Sequence, residues 1–258
     1  MSATVSTSPS EAAEGLASDW HPLLLARAHP KPEIQADFDR WEVDKHLADL
    51  MAGPGAVMVV YGLNVLEGLP EVYKGSGYCM AYYTGPDIEG LFAWLRSKEL
   101  EEAIQDGSQW FGRFNDVDYE TYTGNVYDVS AVVNPRDETP REQAAILVER
   151  WEVGDEDAGE LDAWLRDVHL PAVGRAPGVL RARTFRAIRE GIPIKYYYSP
   201  GNRALIAELD EPFREVLLKP DLLEQTADSM RWELRLPYVK RDVYEYVAHA
   251  YSEHGGEY

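Results

Sequence analysis

Two histidines stand in matching company. Trp41-Glu-Val-Asp44-Lys-His46-Leu47 is followed by Pro54-Gly55, and Trp164-Leu-Arg-Asp167-Val-His169-Leu170 is followed by Pro177-Gly178. A neutral imidazole is the natural proton carrier near pH 7, so His46 and His169 are the candidate catalytic acid–base residues. Each lies five residues after a tryptophan, which fits neither a continuous helical stripe nor the i, i+4 spacing of a metal-binding pair. Pro171 suits the start of a new turn, which predicts a kink that lets each imidazole reach an open mouth. The opposing expectation is that both histidines brace a helix break and only shape the fold.

Arg27 and Arg150 recur in the same way inside short apolar runs, where a guanidinium needs an anionic or carbonyl partner. They are read as substrate-binding groups for a carboxylate or enolate, or else as salt-bridge partners of Asp39 and Asp162. Tyr61, Tyr82, Tyr83 and Tyr197 belong to tyrosine-rich strands whose phenols suit a flat aromatic ligand, although tyrosine is also an ordinary strand residue. Arg181 and Arg183 alternate with Leu180 and Ala182 and are expected either to line a lumen or to sit as solvated charges. Cys79, the one cysteine, is expected to be buried packing and not a nucleophile.

These matches share one offset. Residues 123 apart are identical at ten of the 32 positions from Leu24 to Gly55, where composition alone gives roughly two. An internal duplication is the reading, and its unit is the size of a small domain. The expected organisation is a disordered leader at 1–20, a first module at 21–133, a linker at 134–143 and a second module with a C-terminal helix at 144–258.

The patterns that must position the histidines read as β-α-β-β-α-β twice over. In the first module the strands are Leu23 to His29, Ala56 to Asn64, Gly77 to Thr84 and Tyr119 to Val129. Its helices are one around Phe38 and Trp41 and one from Asp87 to Gln105. The second module gives strands at Ile146 to Val153, Val179 to Ile188, Arg203 to Leu209 and Arg231 to Val239. Its helices are Asp157 to Arg175, Glu211 to Lys219 and Arg241 to Ser252. Two four-stranded sheets, each with helices on one face, must bury their bare faces. Packing them together predicts an eight-stranded barrel-like core able to hold side chains or one small ligand.

A formal charge of −20 excludes a phosphate-backbone or anionic-membrane partner, each of which needs clustered Lys and Arg. No run approaches the roughly 18 apolar residues of a membrane span, and one cysteine fits a reducing, cytoplasmic setting. No dinucleotide, Walker, Gly-x-Ser-x-Gly or Cys-x-x-Cys motif is present, and no histidine pair has metal-ligand spacing, so no metal is expected.

Glu149-Arg-Trp-Glu-Val153, Leu161 to Pro171 and Pro177-Gly-Val-Leu-Arg-Ala-Arg183 resemble the dimeric α+β barrel superfamily, and within it the EthD-like branch. The match is good in the second module and partial in the first, where Ala48 stands in place of the proline. The resemblance implies an α+β fold of tandem ferredoxin-like modules forming an intramolecular pseudo-dimeric barrel, complete as a monomer or associating as a homodimer. It implies a small-molecule enzyme: an isomerase, cyclase, dehydratase or cofactor-free oxygenase acting on an aromatic or polyketide-like ligand, with cofactors none. Two other readings stand beside it, a non-catalytic ligand-binding or stress-associated barrel and a haem-binding barrel enzyme.

Overall fold

The computed structural model describes residues 5–6, 20–28, 30–64, 78–113, 123–134, 144–192, 200–210 and 231–252. Strand β1 (Val5–Ser6) adds two pairings to the end of β5, opposite Val133 and Val132. Then come β2 (Leu23–Ala28), α1 (Gln35–Trp41), a π turn (Glu42–His46), α2 (Leu47–Met51), β3 (Met58–Asn64) and β4 (Cys79–Thr84). Helices α3 (Ile88–Leu95) and α4 (Lys98–Arg113) lead to β5 (Thr123–Val133). The chain continues as β6 (Ala145–Glu152), α5 (Asp155–Trp164), a second π turn (Leu165–His169), α6 (Leu170–Arg175), β7 (Val179–Ile188), β8 (Arg203–Leu209) and β9 (Tyr238–Tyr251).

Eight antiparallel strands close on themselves in the order β5-β2-β4-β3-β9-β6-β8-β7, with β7 returning to β5. Closure removes the free edges that an open sheet would expose. Because strand side chains alternate, each strand serves two layers. Leu23, Leu25, Met58, Val60, Met80, Ile146, Val148, Phe185 and Ile206 fill the interior. Outward-facing residues pack under the helices in two further clusters, one beneath α1 to α4 and one beneath α5 and α6. The interior is thus occupied by side chains.

Two helix expectations change. The single helix expected from Asp87 to Gln105 is two, because the chain turns at Arg96 and restarts where the Ser97 hydroxyl accepts from the Leu100 N–H at 3.2 Å. The Asp87 carboxylate caps the first of them through the Gly90 N–H at 2.7 Å. At the C-terminal end the assignments are exchanged. The stretch expected as a strand, Arg231 to Val239, begins as a helical turn that leaves Leu234 92% exposed. The stretch expected as a helix, Arg241 to Ser252, is most of β9, which seals the barrel between β3 and β6. The expected helix at 211–219, most of the leader and nearly all of the linker lie outside the described residues.

Candidate functional site

Both histidines end a π turn. The Leu47 N–H bonds to the Glu42 carbonyl and the Leu170 N–H to the Leu165 carbonyl, one residue farther back than in an α-helix. The wider turn brings residues five apart onto one face. Trp41 and His46 therefore stack at 4.2 Å and 24°, and Trp164 and His169 at 4.5 Å and 15°. This accounts for the five-residue spacing and corrects the expected kink. Neither imidazole reaches the mouth of the barrel; each lies in the layer between helix and sheet.

Beneath the first π turn is a cavity of about 30 Å³, bordered by Ala26, Ala28, Trp41, Glu42, His46 and Tyr61 among others. Such a volume accommodates one or two waters. Among the described residues the buried Nδ1 of His46 and Oε2 of Glu42 find no hydrogen-bond partner, and Glu42 Oε2 stands 4.0 Å from His46 Nε2. Burial, helped by the negative charge of Asp39, pushes the Glu42 carboxyl up to about 8. Burial pushes His46 down to about 4, against the pull of Asp49 and Asp106. At neutral pH an uncharged base thus sits beside an uncharged acid. Asp39 accepts hydrogen bonds from the Tyr61 and Tyr78 hydroxyls at 3.0 and 2.7 Å. Burial pushes the Cys79 thiol up, so it is a poor nucleophile.

Beneath the second π turn the space is filled. His169 Nε2 meets Glu149 at 2.5 Å, Glu149 accepts from Arg241 Nε at 2.8 Å, and Arg241 also binds Glu233. Burial alone would raise the Glu149 carboxyl, yet its contacts with His169 and Arg241 prevail and hold it at about 2. Trp151 packs edge-on against both Trp164 and His169, and Trp232 leans on Trp164. The exchange of residues is specific. Glu149 and Trp151 stand 123 positions after Ala26 and Ala28, the two alanines that leave room beside His46, and Leu165 stands 123 after Glu42.

Of the other residues singled out from sequence, Arg27, Tyr61 and Tyr83 border the same cavity as His46. Tyr61 and Tyr83 face the helices and not the lumen, a correction that follows from strand parity. Tyr82, Arg181 and Arg183 do point inward, where all three converge on the Glu208 carboxylate. Those hydrogen bonds involve neither His46 nor His169. Arg150 also points inward, paired with Asp242 at 2.6 Å. The partners expected for the arginine pair are engaged elsewhere, Asp162 with Arg203 and Arg186 and Asp39 with the two tyrosines. Tyr197 lies outside the described residues. Sequence reasoning missed Glu42 and Glu149 and gave Asp39 only an ion-pair role; the one available signal was Glu42 lying one helical step before His46.

No family model and no curated protein matches the chain. Solved structures match it in shape. An anthrone oxidase-like protein aligns over 98% of both chains with a TM-score of 0.61 at 11% identity. A Fusobacterium nucleatum protein provisionally named a monooxygenase aligns over 90% of this chain and 94% of its own, with TM-score 0.56 at 8% identity. A Lactobacillus acidophilus protein, also provisionally named a monooxygenase, gives 0.50 at 10% identity over 90% of this chain and 97% of its own. At such identities the shared property is the fold, a closed eight-stranded antiparallel barrel with helices packed on its outside.

Proposed function

We propose that the chain is a small-molecule enzyme of the oxidase or monooxygenase kind, with His46 accepting a proton, Glu42 donating one and no tightly bound cofactor. The observation that carries this reading is the neutral base and neutral acid, each with an unpartnered buried atom, at one cavity. The names of the structural neighbours support the reaction class. In this reading the chain is a tandem pair of EthD-like modules, 21–133 and 144–258. The first is the active one, and His169 serves structure. No helix among the described residues is long and apolar enough to cross a membrane, and a cytoplasmic setting is proposed from the lone cysteine.

A cavity of this size excludes a whole ring, so an aromatic or polyketide-like substrate presents only its reacting edge to His46. The chemistry is removal of a C–H proton made acidic by a neighbouring carbonyl, leaving an enolate. With anthrone as probe, dioxygen takes the electrons, and the products are anthraquinone and water. Oxygen uptake with anthrone tests the reading. The wild type should outpace the uncatalysed reaction, His46→Ala should lose about 10²-fold or more, and His169→Ala should lose activity only as far as it loses fold. A wild type no faster than background, or a folded His46→Ala at full rate, overturns it. The small cavity favours a second reading, a non-catalytic barrel, in which anthrone binds and no oxygen is consumed.

A further inference from the structure

Asp39 stands one helical turn before Glu42 and does not itself border the His46 cavity. Both of its carboxylate oxygens are engaged. Oδ1 accepts from the Tyr61 hydroxyl at 3.0 Å and Oδ2 from the Tyr78 hydroxyl at 2.7 Å. The donors come from β3 and from the residue that leads into β4, so a helix and two neighbouring strands fix one carboxylate. Neither donor is a cation. The hydroxyls hold the group in place and leave its negative charge in force. That charge is felt by Glu42, Tyr61, Tyr78 and Cys79, where burial comes first and Asp39 adds to it in favouring the protonated form.

The other groups around Glu42 bear on different partners. Around the cavity are His46 on its own segment, Arg27 on β2, Tyr61 on β3 and Cys79 on β4. His46 is uncharged at neutral pH, and the phenol and the thiol keep their protons. The Arg27 charge acts on Tyr127 and Tyr244, and Lys45, Asp49 and Asp106 act on His46. Among the described residues Asp39 is the charge that acts on Glu42. The second module supplies the contrast. Asp162, 123 positions after Asp39, is matched by two cations, Arg203 at 2.6 Å and Arg186 at 2.8 Å, and Leu165 occupies the position of Glu42. An aspartate held by neutral donors accompanies the buried acid, and where the acid is missing the aspartate is neutralised.

We propose that Asp39 is a positioning residue of the His46 cavity: its carboxylate, fixed by Tyr61 and Tyr78, keeps the proton on Glu42, a role that rests on the reaction proposed above, in which Glu42 is the donor. Infrared titration through the neutral and alkaline range reads this without substrate. The carbonyl stretch of the protonated carboxyl, assigned by its loss in Glu42→Gln, should vanish around pH 8 in the wild type. In Asp39→Asn it should vanish about one pH unit lower. The alkaline limb of anthrone oxidation should move with it, since the donor is lost as pH rises. Tyr78→Phe, which releases one oxygen of Asp39, should shift the midpoint the same way by less, and Asp39→Glu, which keeps the charge, should restore it. A folded Asp39→Asn with the wild-type midpoint, a Tyr78→Phe shifted upward, or an Asp39→Glu displaced as far as Asp39→Asn each overturns the proposal. Anthrone left untouched by the wild type while the infrared shift persists overturns the reaction and upholds the hold of Asp39 on Glu42.

Discussion

The layer beneath His46 and the layer beneath His169 share a backbone and differ in what fills them. Each has a π turn, a stacked tryptophan and a histidine held above a strand. Under one the strand offers Ala26 and Ala28; under the other it offers Glu149 and Trp151. The consequence is electrostatic as much as steric. An acid buried beside another carboxylate stays protonated, as Glu42 does near Asp39, whereas one buried against a guanidinium stays ionised, as Glu149 does. Backbone geometry therefore places an imidazole, and two strand residues decide whether it faces free space or a closed network.

Carving the filled layer should produce the largest effect. Trp151→Ala should cost about 3–5 kcal/mol in urea unfolding and open space beside His169. Glu149→Gln comes next, at about 3 kcal/mol, since it deprives Arg241 of a buried anion. A loss under about 1 kcal/mol would mean that Glu233 alone satisfies the arginine.

The third expectation separates the layers by sign. Glu42 has its pKa raised, so its stabilising contribution is complete below its ordinary value of 4.5 and is lost as pH rises through about 8. Glu149 has its pKa lowered, so its contribution is present above 4.5 and is lost as pH falls towards about 2. His46, lowered from 6.5 to about 4, adds to the acid loss. Glu42→Gln should accordingly stabilise the protein at pH 8 to 9 and change little at pH 4. Thermal unfolding across that range checks it, and an unchanged alkaline limb would show that Glu42 is not the buried acid. The smallest expected change in stability is that of Ala28→Val, within about 1.5 kcal/mol. It should nevertheless suppress anthrone oxidation by closing the cavity. Retained activity would place the chemistry elsewhere.

The repeated Trp–His spacing was legible because the sequence carries it, but its meaning was not. A five-residue interval suggests a broken helix until the π turn supplies the geometry. The strands of the barrel were mostly readable from β-branched and aromatic runs. β9 was not, because it buries Arg241 and Asp242 at adjacent positions on opposite faces. Those charges are paired with Glu149 and Arg150, more than ninety residues earlier, and no local pattern announces such partners. Leu234 misled in the opposite direction, an apolar residue in an alternating run that ends up in solvent. The cavity was unreadable for a related reason. It is made by two small residues, and alanines on a strand attract no attention until their larger counterparts are seen filling the same space elsewhere.

The place of β9 bears on how the barrel is made. Hydrogen-bonded to β3 on one side and β6 on the other, it joins strands far apart in the chain, and it leaves the ribosome after both. Until residues 238–251 have been synthesised, β3 and β6 keep bare edges, the feature by which nascent sheets pair with the wrong neighbour. Chaperone dependence during translation and a slow closing step on refolding are the expected marks of this order.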